Sequence, residues 1–315
     1  KRQMMDMLTF RRFVEKLVSI GEGVVEEGVY DPVVEATRVL ARAGERCVVL
    51  RVKGSDVPVA GNVMSNKRRV MMVLGVSREA DLYAKLIDAL SKPTPLADER
   101  SGADRKVFTS VDALPVLKYY PMDGGKYVTS AIIIARDPDE GALNASVHRI
   151  MLIDGRHGVV RVTPRHLFMI LNKYRRLGRK APVVVAISPE PIVIVAAASS
   201  PPYGVFELEV ANTLSGGRLR AEYFTEAELP VTSGTGIVIT GHIDPSKLVN
   251  EGPFVDITGT YDIVRPQPVI EFEEVMVADD ALYHAILPAG PEHRTLMGLP
   301  REAAIWDYVR RVVGE

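Results

Sequence analysis

One cysteine, Cys47, and one tryptophan, Trp306, stand in 315 residues. A single thiol excludes a disulfide framework and a cysteine-based zinc site, and it fits a reducing compartment, here read as the cytoplasm. The 39 basic and 40 acidic side chains leave a net charge of −1, so no bulk field holds nucleic acid or an anionic membrane. No apolar run reaches the ~18 residues of a membrane span. The stretch 1–10 is basic without an apolar h-region, which excludes a secretory signal. Asn and Gln together number only 8, while Arg, Glu and Val are abundant, a lean towards a thermophile. Motifs are missing too. There is no phosphate-binding P-loop, no G-x-S-x-G elbow and no H-E-x-x-H, and Gly234-Thr235-Gly236 lacks the third glycine of a dinucleotide fingerprint.

What remains is 47% hydrophobic and 25% charged, the make-up of a folded protein, in a length that suggests two or three domains. Thr9 reads as an N-cap before a helix carrying Leu8, Phe13, Leu17 and Ile20 on one face. A second helix pattern over 33–43, the buried strand CVVLRV and the helix start KRRVMMVLGV indicate an N-terminal α/β domain over 1–105, with 91–104 as a linker. From Lys106 the texture turns β-rich. LPVLKYY, YVTSAIIIARD, SVHRIMLID, HGVVRV, APVVVAIS and PIVIVAAA read as strands between turns, interrupted by the helix HLFMILNKYRRLG. GIVITGHI and PVIEFEEVMV add two strands, and 301–313 is an amphipathic helix. The fold class is α/β (α+β): an N-terminal α/β layer, a central split β-barrel over 106–265, and the start of a C-terminal α/β segment over 266–315.

Several polar residues lie in this β-rich context. Arg149 follows Asn144 in NASVHR and reads equally as a barrel-rim arginine. His166, after Arg165, reads alone as a packed histidine at a helix start. Glu207 and Glu209 fit a solvated face. Asn, His and Glu together form a mixed N/O set suited to Mn²⁺ or Mg²⁺, which spacing alone does not establish. Glu251 and Asp256 flank a Gly-Pro-bent apolar loop, where a carboxyl can hold a proton near neutral pH; the same loop also reads as one with two surface acids.

LPVLKYYPMDGGKYVTSAIIIARDPDEGALNASVHRIM resembles the central signature of the UbiD family of decarboxylases. EGPFVDITGTY, GNVMSNKRRVMMVLGV and ELEVANTLSGG resemble further family segments, in collinear order over about residues 8–313. The resemblance implies a split β-barrel that binds prenylated FMN, with Mn²⁺, and possibly K⁺, bridging its phosphate to the protein. It implies Asn144, His166 and Glu207 as metal ligands. It implies a cofactor site of Asn144, Ala145, Ser146, Val147, His148, Arg149, Arg165, His166 and Glu207. It also implies Asp256 as proton donor, with Arg149 and Glu251 as its supporting ion pair.

The implied reaction is non-oxidative decarboxylation of an α,β-unsaturated acid. The first-ranked substrate is trans-anhydromevalonate 5-phosphate, giving isopentenyl phosphate and CO₂. An aromatic acid of the polyprenyl-4-hydroxybenzoate kind comes next, and a non-catalytic flavin-binding subunit and an FMN reductase are the other readings. A flavin prenyltransferase would supply the cofactor, and a homodimer or higher homo-oligomer is expected. Three positions depart from the family pattern: Asn212 and Val255 replace glycines, and Asp256 replaces the commoner Glu. Family members usually continue well beyond the helix near Val313 into a C-terminal α/β domain, so this is either a short member or part of a longer chain.

Overall fold

The structure, a computed structural model, describes residues 9–99 and 102–314. Thr9 caps the first helix, Phe10–Ser19, by accepting from the Arg12 N–H. Its buried face is Phe10, Phe13, Val14 and Leu17. Ile20 does not share that face: it is the C-cap residue and is 48% exposed. Leu8 lies outside the described residues.

The N-terminal unit is a four-stranded sheet. Gly23–Tyr30 runs parallel to Cys47–Val52, which pairs antiparallel with Val59–Gly61. The fourth strand, Tyr283–Ala285, is contributed from near the other end of the chain and lies parallel to Val59–Gly61. The α/β layer is thus completed by residues far away in sequence.

Six strands close into the barrel, in the order Ile237–Glu251, Ala181–Ile187, Tyr127–Arg136, Leu143–Leu152, His157–Val160 and Arg265–Ala278. The first and last of these pair with each other. Arg105–Phe108 adds an outer edge on Arg265–Ala278. The barrel therefore runs to Ala278, past the expected boundary at 265. That strand cannot leave the barrel, because it bonds to Ile237–Glu251 on one side and to His157–Val160 on the other.

The apolar runs of the barrel strands follow from burial on both faces. Ile133 and Ala135 point into the interior with Val183 and Val185. Ile132 and Ile134 point outward, into a second core shared with Val184 and Ala186. PIVIVAAA belongs to that second core. It is a helix, Pro191–Ala198, and not the strand expected from its β-branched residues. Pro191 starts it, and its residues from Pro191 to Ala197 are all buried, so tertiary packing overrides the weak β preference of Val and Ile. LPVLKYY likewise forms no strand. It holds only isolated bridges, at Leu117 to Tyr127 and at Lys118 to Val33.

Candidate active site

One mouth of the barrel carries charge that is nearly sealed from water. Arg149, in Leu143–Leu152, faces Glu251, the last residue of Ile237–Glu251. Its Nε and Nη2 donate to the two Glu251 carboxylate oxygens at 2.9 Å each, a bidentate pair. Glu251 is fully buried and also accepts from the Tyr127 hydroxyl at 2.9 Å. Phe254 roofs the pair: the Arg149 guanidinium lies 4.6 Å from its ring centre, and the Tyr127 ring 4.3 Å. Burial works against the Arg149 cation, but its bonds to Glu251 outweigh that and raise its pKa above the ordinary value. Burial raises the Tyr127 hydroxyl, and the Glu251 charge raises it further, so Tyr127 remains a donor.

The loop after Glu251 is placed by backbone contact. The Gly124 N–H donates to the Pro253 carbonyl at 2.8 Å. A Cβ on Gly124 would lie 2.2 Å from the Gly252 carbonyl oxygen, so only glycine allows the turn at 123–125 to approach so closely. Gly252 takes φ +103° and Gly259 +83°. Val255, where the resemblance leads one to expect glycine, is extended and pairs with Tyr261 in the ribbon Phe254–Val255 and Tyr261–Asp262. Its φ is not positive, so the substitution brings no backbone strain.

Asp256 sits half-buried at the tip of this ribbon. Its Oδ1 accepts from the Thr258 N–H at 2.9 Å and from the Thr258 hydroxyl. No hydrogen bond or ion pair joins it to Arg149 or Glu251 among the described residues. The second carboxylate to reach Arg149, beside Glu251, is Asp262 at 3.1 Å, and sequence reading did not single it out. Its role follows from the ribbon's pairing, which places it opposite Phe254. His293 was missed as well. In the first turn of Pro291–Val313, its Nδ1 accepts from the Ala289 N–H at 3.0 Å, which leaves Nε2 as the donor of a neutral ring. Burial lowers its pKa, with Asp256 raising it and Arg149 lowering it, so both lie within electrostatic reach.

The other group is built on the same strand. Asn144, Ser146 and His148 share one face by the two-residue period. Asn144 Nδ2 and the Ala145 N–H donate to the two Glu207 oxygens, at 2.9 and 2.7 Å. Ser146 Oγ lies 3.1 Å from Asn144 Oδ1 and 2.8 Å from His148 Nε2. His148 Nδ1 lies 3.0 Å from the Arg161 carbonyl and must donate to it, so Nε2 is the acceptor for Ser146. Val147 points the other way, packed against the outer core.

Glu207 opens the helix Glu207–Ser215 and is buried, whereas Glu209 is only half-buried. Burial pushes the Glu207 carboxyl up to about 8, since its hydrogen bonds are not matched by a cation. Arg165 is the N-cap of His166–Arg176 and donates to Ser200 Oγ at 3.2 Å. His166 opens that helix, with its ring edge-on to Tyr203 at 5.2 Å. Tyr203 is fixed by Asp137, which Lys173 Nζ holds at 2.6 Å. Burial lowers the His166 pKa, and Arg165 lowers it further, which keeps the ring neutral and its lone pair available. Asn212 is buried and does the work of a clasp. Its Nδ2 donates to the Thr94 and Pro95 carbonyls, and its Oδ1 accepts from the Leu219 N–H.

His148 sets a pH dependence. Burial pushes its pKa down to about 4, whereas an unfolded histidine titrates near 6.5. The unfolded chain therefore binds a proton that the folded one refuses between those values, and stability falls as pH drops through that window. The effect is on the order of 3 kcal/mol at most. His148→Gln should flatten this acid limb in thermal unfolding between pH 6.5 and 4, and an unchanged limb would refute the assignment.

A closed barrel that carries on one strand both a sealed arginine, paired with Glu251, and the Asn144 amide that holds a buried carboxyl without a cation concentrates polar chemistry where a core would be apolar. The family described as 3-octaprenyl-4-hydroxybenzoate carboxy-lyase Rift-related domain matches residues 91–291. The chain belongs to this UbiD family of carboxy-lyases. It is 37% identical over 306 residues to the anhydromevalonate phosphate decarboxylase of Methanothermobacter thermautotrophicus, covering 96% of this chain and 71% of the relative. The enzyme of the same name from Aeropyrum pernix is 34% identical, over 98% of this chain and 70% of the relative. Among solved structures, an evolved dimeric form of the UbiD-class enzyme HmfF from Pelotomaculum thermopropionicum, in complex with prFMN, superposes with a TM-score of 0.92 at 30% identity. It covers 96% of this chain and 73% of that one. No helix of the described residues is long and apolar enough to cross a membrane.

Proposed function

We propose that this chain decarboxylates an α,β-unsaturated carboxylic acid with prenylated FMN, and that the acid is trans-anhydromevalonate 5-phosphate, released as isopentenyl phosphate and CO₂. The buried Arg149–Glu251 pair at the barrel mouth carries this reading, supported by archaeal relatives named for that activity. A guanidinium oriented by Glu251 and Asp262 through Nε and Nη2 leaves Nη1 to meet a substrate carboxylate. Asp256 is the proton donor to the carbon that loses CO₂, and its tether through Thr258 holds it on the ribbon.

Prenylated FMN, when bound, supplies the electron sink for breaking the bond to the carboxyl carbon. The residues present fit it and a divalent ion. Glu207 is a buried carboxylate without a cationic partner, His166 is neutral with no ring-nitrogen hydrogen bond among the described residues, and Asn144 presents an amide oxygen. Among the described residues no three His, Cys, Asp or Glu side chains converge, so Asn144, His166 and Glu207 would hold Mn²⁺ only together with ligands from the cofactor. The assignment extends to Ala145, Ser146, Val147, His148, Arg149 and Arg165 along the cofactor, to K⁺ as a second ion, to a homo-oligomer, and to a flavin prenyltransferase as supplier of the cofactor.

The test is co-expression with a flavin prenyltransferase, followed by absorbance of the purified protein and an assay of CO₂ release from anhydromevalonate phosphate. Turnover of a 4-hydroxybenzoate instead would select the aromatic-acid reading. Absence of both would overturn the decarboxylase assignment for these substrates. His166→Ala should lower bound manganese and bound flavin together by elemental analysis and absorbance, and retention of both at wild-type levels would remove His166 from the site.

A further inference from the structure

Three guanidinium groups at the barrel mouth share two carboxylate partners. Arg149, Arg161 and Arg265 make their ion contacts with Glu251 and Asp262, while Asp256 and Asp123 nearby make none with them among the described residues. Glu251 already accepts three hydrogen bonds, two from Arg149 and one from Tyr127. Asp262 accepts at Oδ2 from Arg149 at 3.1 Å, and at Oδ1 from Arg265 at 2.8 Å and from the Ile263 N–H at 2.9 Å. Arg161 is left over. Its one ion contact among the described residues is 3.7 Å from Nε to Asp262 Oδ2, too long for a hydrogen bond, although its side chain is only 18% exposed. Beside it, Nε of Arg265 is buried with no partner among the described residues.

The backbone of Arg161 is nevertheless held on both sides. Its N–H donates to the Arg149 carbonyl at 3.1 Å, its own carbonyl holds the His148 ring, and the next N–H, of Val162, donates to Gln267 Oε1 at 2.7 Å. Burial, then Arg265 and Arg149, push the guanidinium pKa down, yet an arginine does not discharge in a protein. A half-sealed and under-partnered cation, carried on a fixed backbone beside two others, costs stability that a structural role would not require.

We propose that Arg161, with Arg265 beside it, receives an oxyanion of the substrate, a second anion contact in addition to Arg149. The inference rests on the decarboxylase reading for the identity of the substrate, and its chemistry is shared by the substrate carboxylate and the substrate phosphate.

The test uses cofactor-loaded wild type, Arg161→Gln and Arg161→Lys. KM is measured for anhydromevalonate phosphate and for its dephosphorylated acid, beside thermal unfolding at low salt. Arg161→Gln should raise KM roughly 10- to 100-fold, the loss of a charge-assisted hydrogen bond, with kcat changed far less. Arg161→Lys should recover part of it. The melting temperature without substrate should stay level or rise, because a like charge is removed from Arg149 and Arg265. A KM effect confined to the phosphorylated acid assigns the phosphate, and an equal effect on both acids assigns the carboxylate. A KM within about two-fold of wild type on both acids overturns the proposal.

If wild type turns over neither acid, thermal protection by inorganic phosphate and by acetate still decides. Protection lost in Arg161→Gln supports the receptor, and equal protection in both proteins overturns it. Failure of the substrate assignment is thus read separately from failure of Arg161.

Discussion

Arg149→Met should abolish decarboxylation and destabilise the fold together. The substitution keeps the length and apolar stem of the side chain and removes the cation, leaving Glu251 fully buried with only the Tyr127 hydroxyl as partner. Breaking a buried pair from one side costs about 3–5 kcal/mol, because the surviving charge stays desolvated. Removing both charges does not carry that cost. Arg149→Met with Glu251→Met should recover most of the lost stability in denaturant unfolding while remaining inactive. That split separates the structural burden of the pair from its use on substrate. If the double variant is no more stable than Arg149→Met alone, the lost stability comes from the rest of the cluster, Asp262 included, and not from an unpaired Glu251.

Asp256→Asn should keep the cofactor, the metal and the fold, yet lose on the order of 10²-fold or more in turnover, the scale of general acid catalysis. Asparagine can still accept the Thr258 N–H that holds the ribbon tip, so the loop stays in place while the transferable proton is gone. His293 lies within electrostatic reach of Asp256, so the pH profile of the wild type should carry a group that is perturbed in His293→Gln. Wild-type turnover by Asp256→Asn with prenylated FMN fully bound would exclude Asp256. Glu251, which shares the barrel mouth, would then be the first candidate to test.

How far the site was legible depended on whether its parts are local in sequence. Asn144, Ser146 and His148 share one face because strand geometry repeats every two residues, and NASVHR states that directly. Glu251 and Asp256 stand out because Gly252 and Pro253 bend the chain between them. Asp262, Arg161 and His293 carry no such signal. Each is an ordinary polar residue near a turn or an element end, and each acquires its place only when the barrel closes and the last helix docks.

The secondary structure divides in the same way. YVTSAIIIARD and APVVVAIS fold as strands, and Thr9 and Gly178 bound their helices, because these are short-range effects of side-chain period, capping and backbone freedom. PIVIVAAA could not be read locally. An all-apolar segment has no periodicity to report, and its helix is selected by packing against the outside of the barrel.

By itself, the sequence determined the membership of the UbiD family, the α/β class and the strands that make the barrel. Closure was decided by tertiary structure. It gave Tyr283–Ala285 to the N-terminal sheet, extended the barrel to Ala278, and gathered three arginines around two carboxylates. The physical reason is range. Propensity, capping and period act over a few residues, whereas a buried charge finds its partner at sequence separations such as the 102 residues between Arg149 and Glu251, and only the folded chain sets that distance.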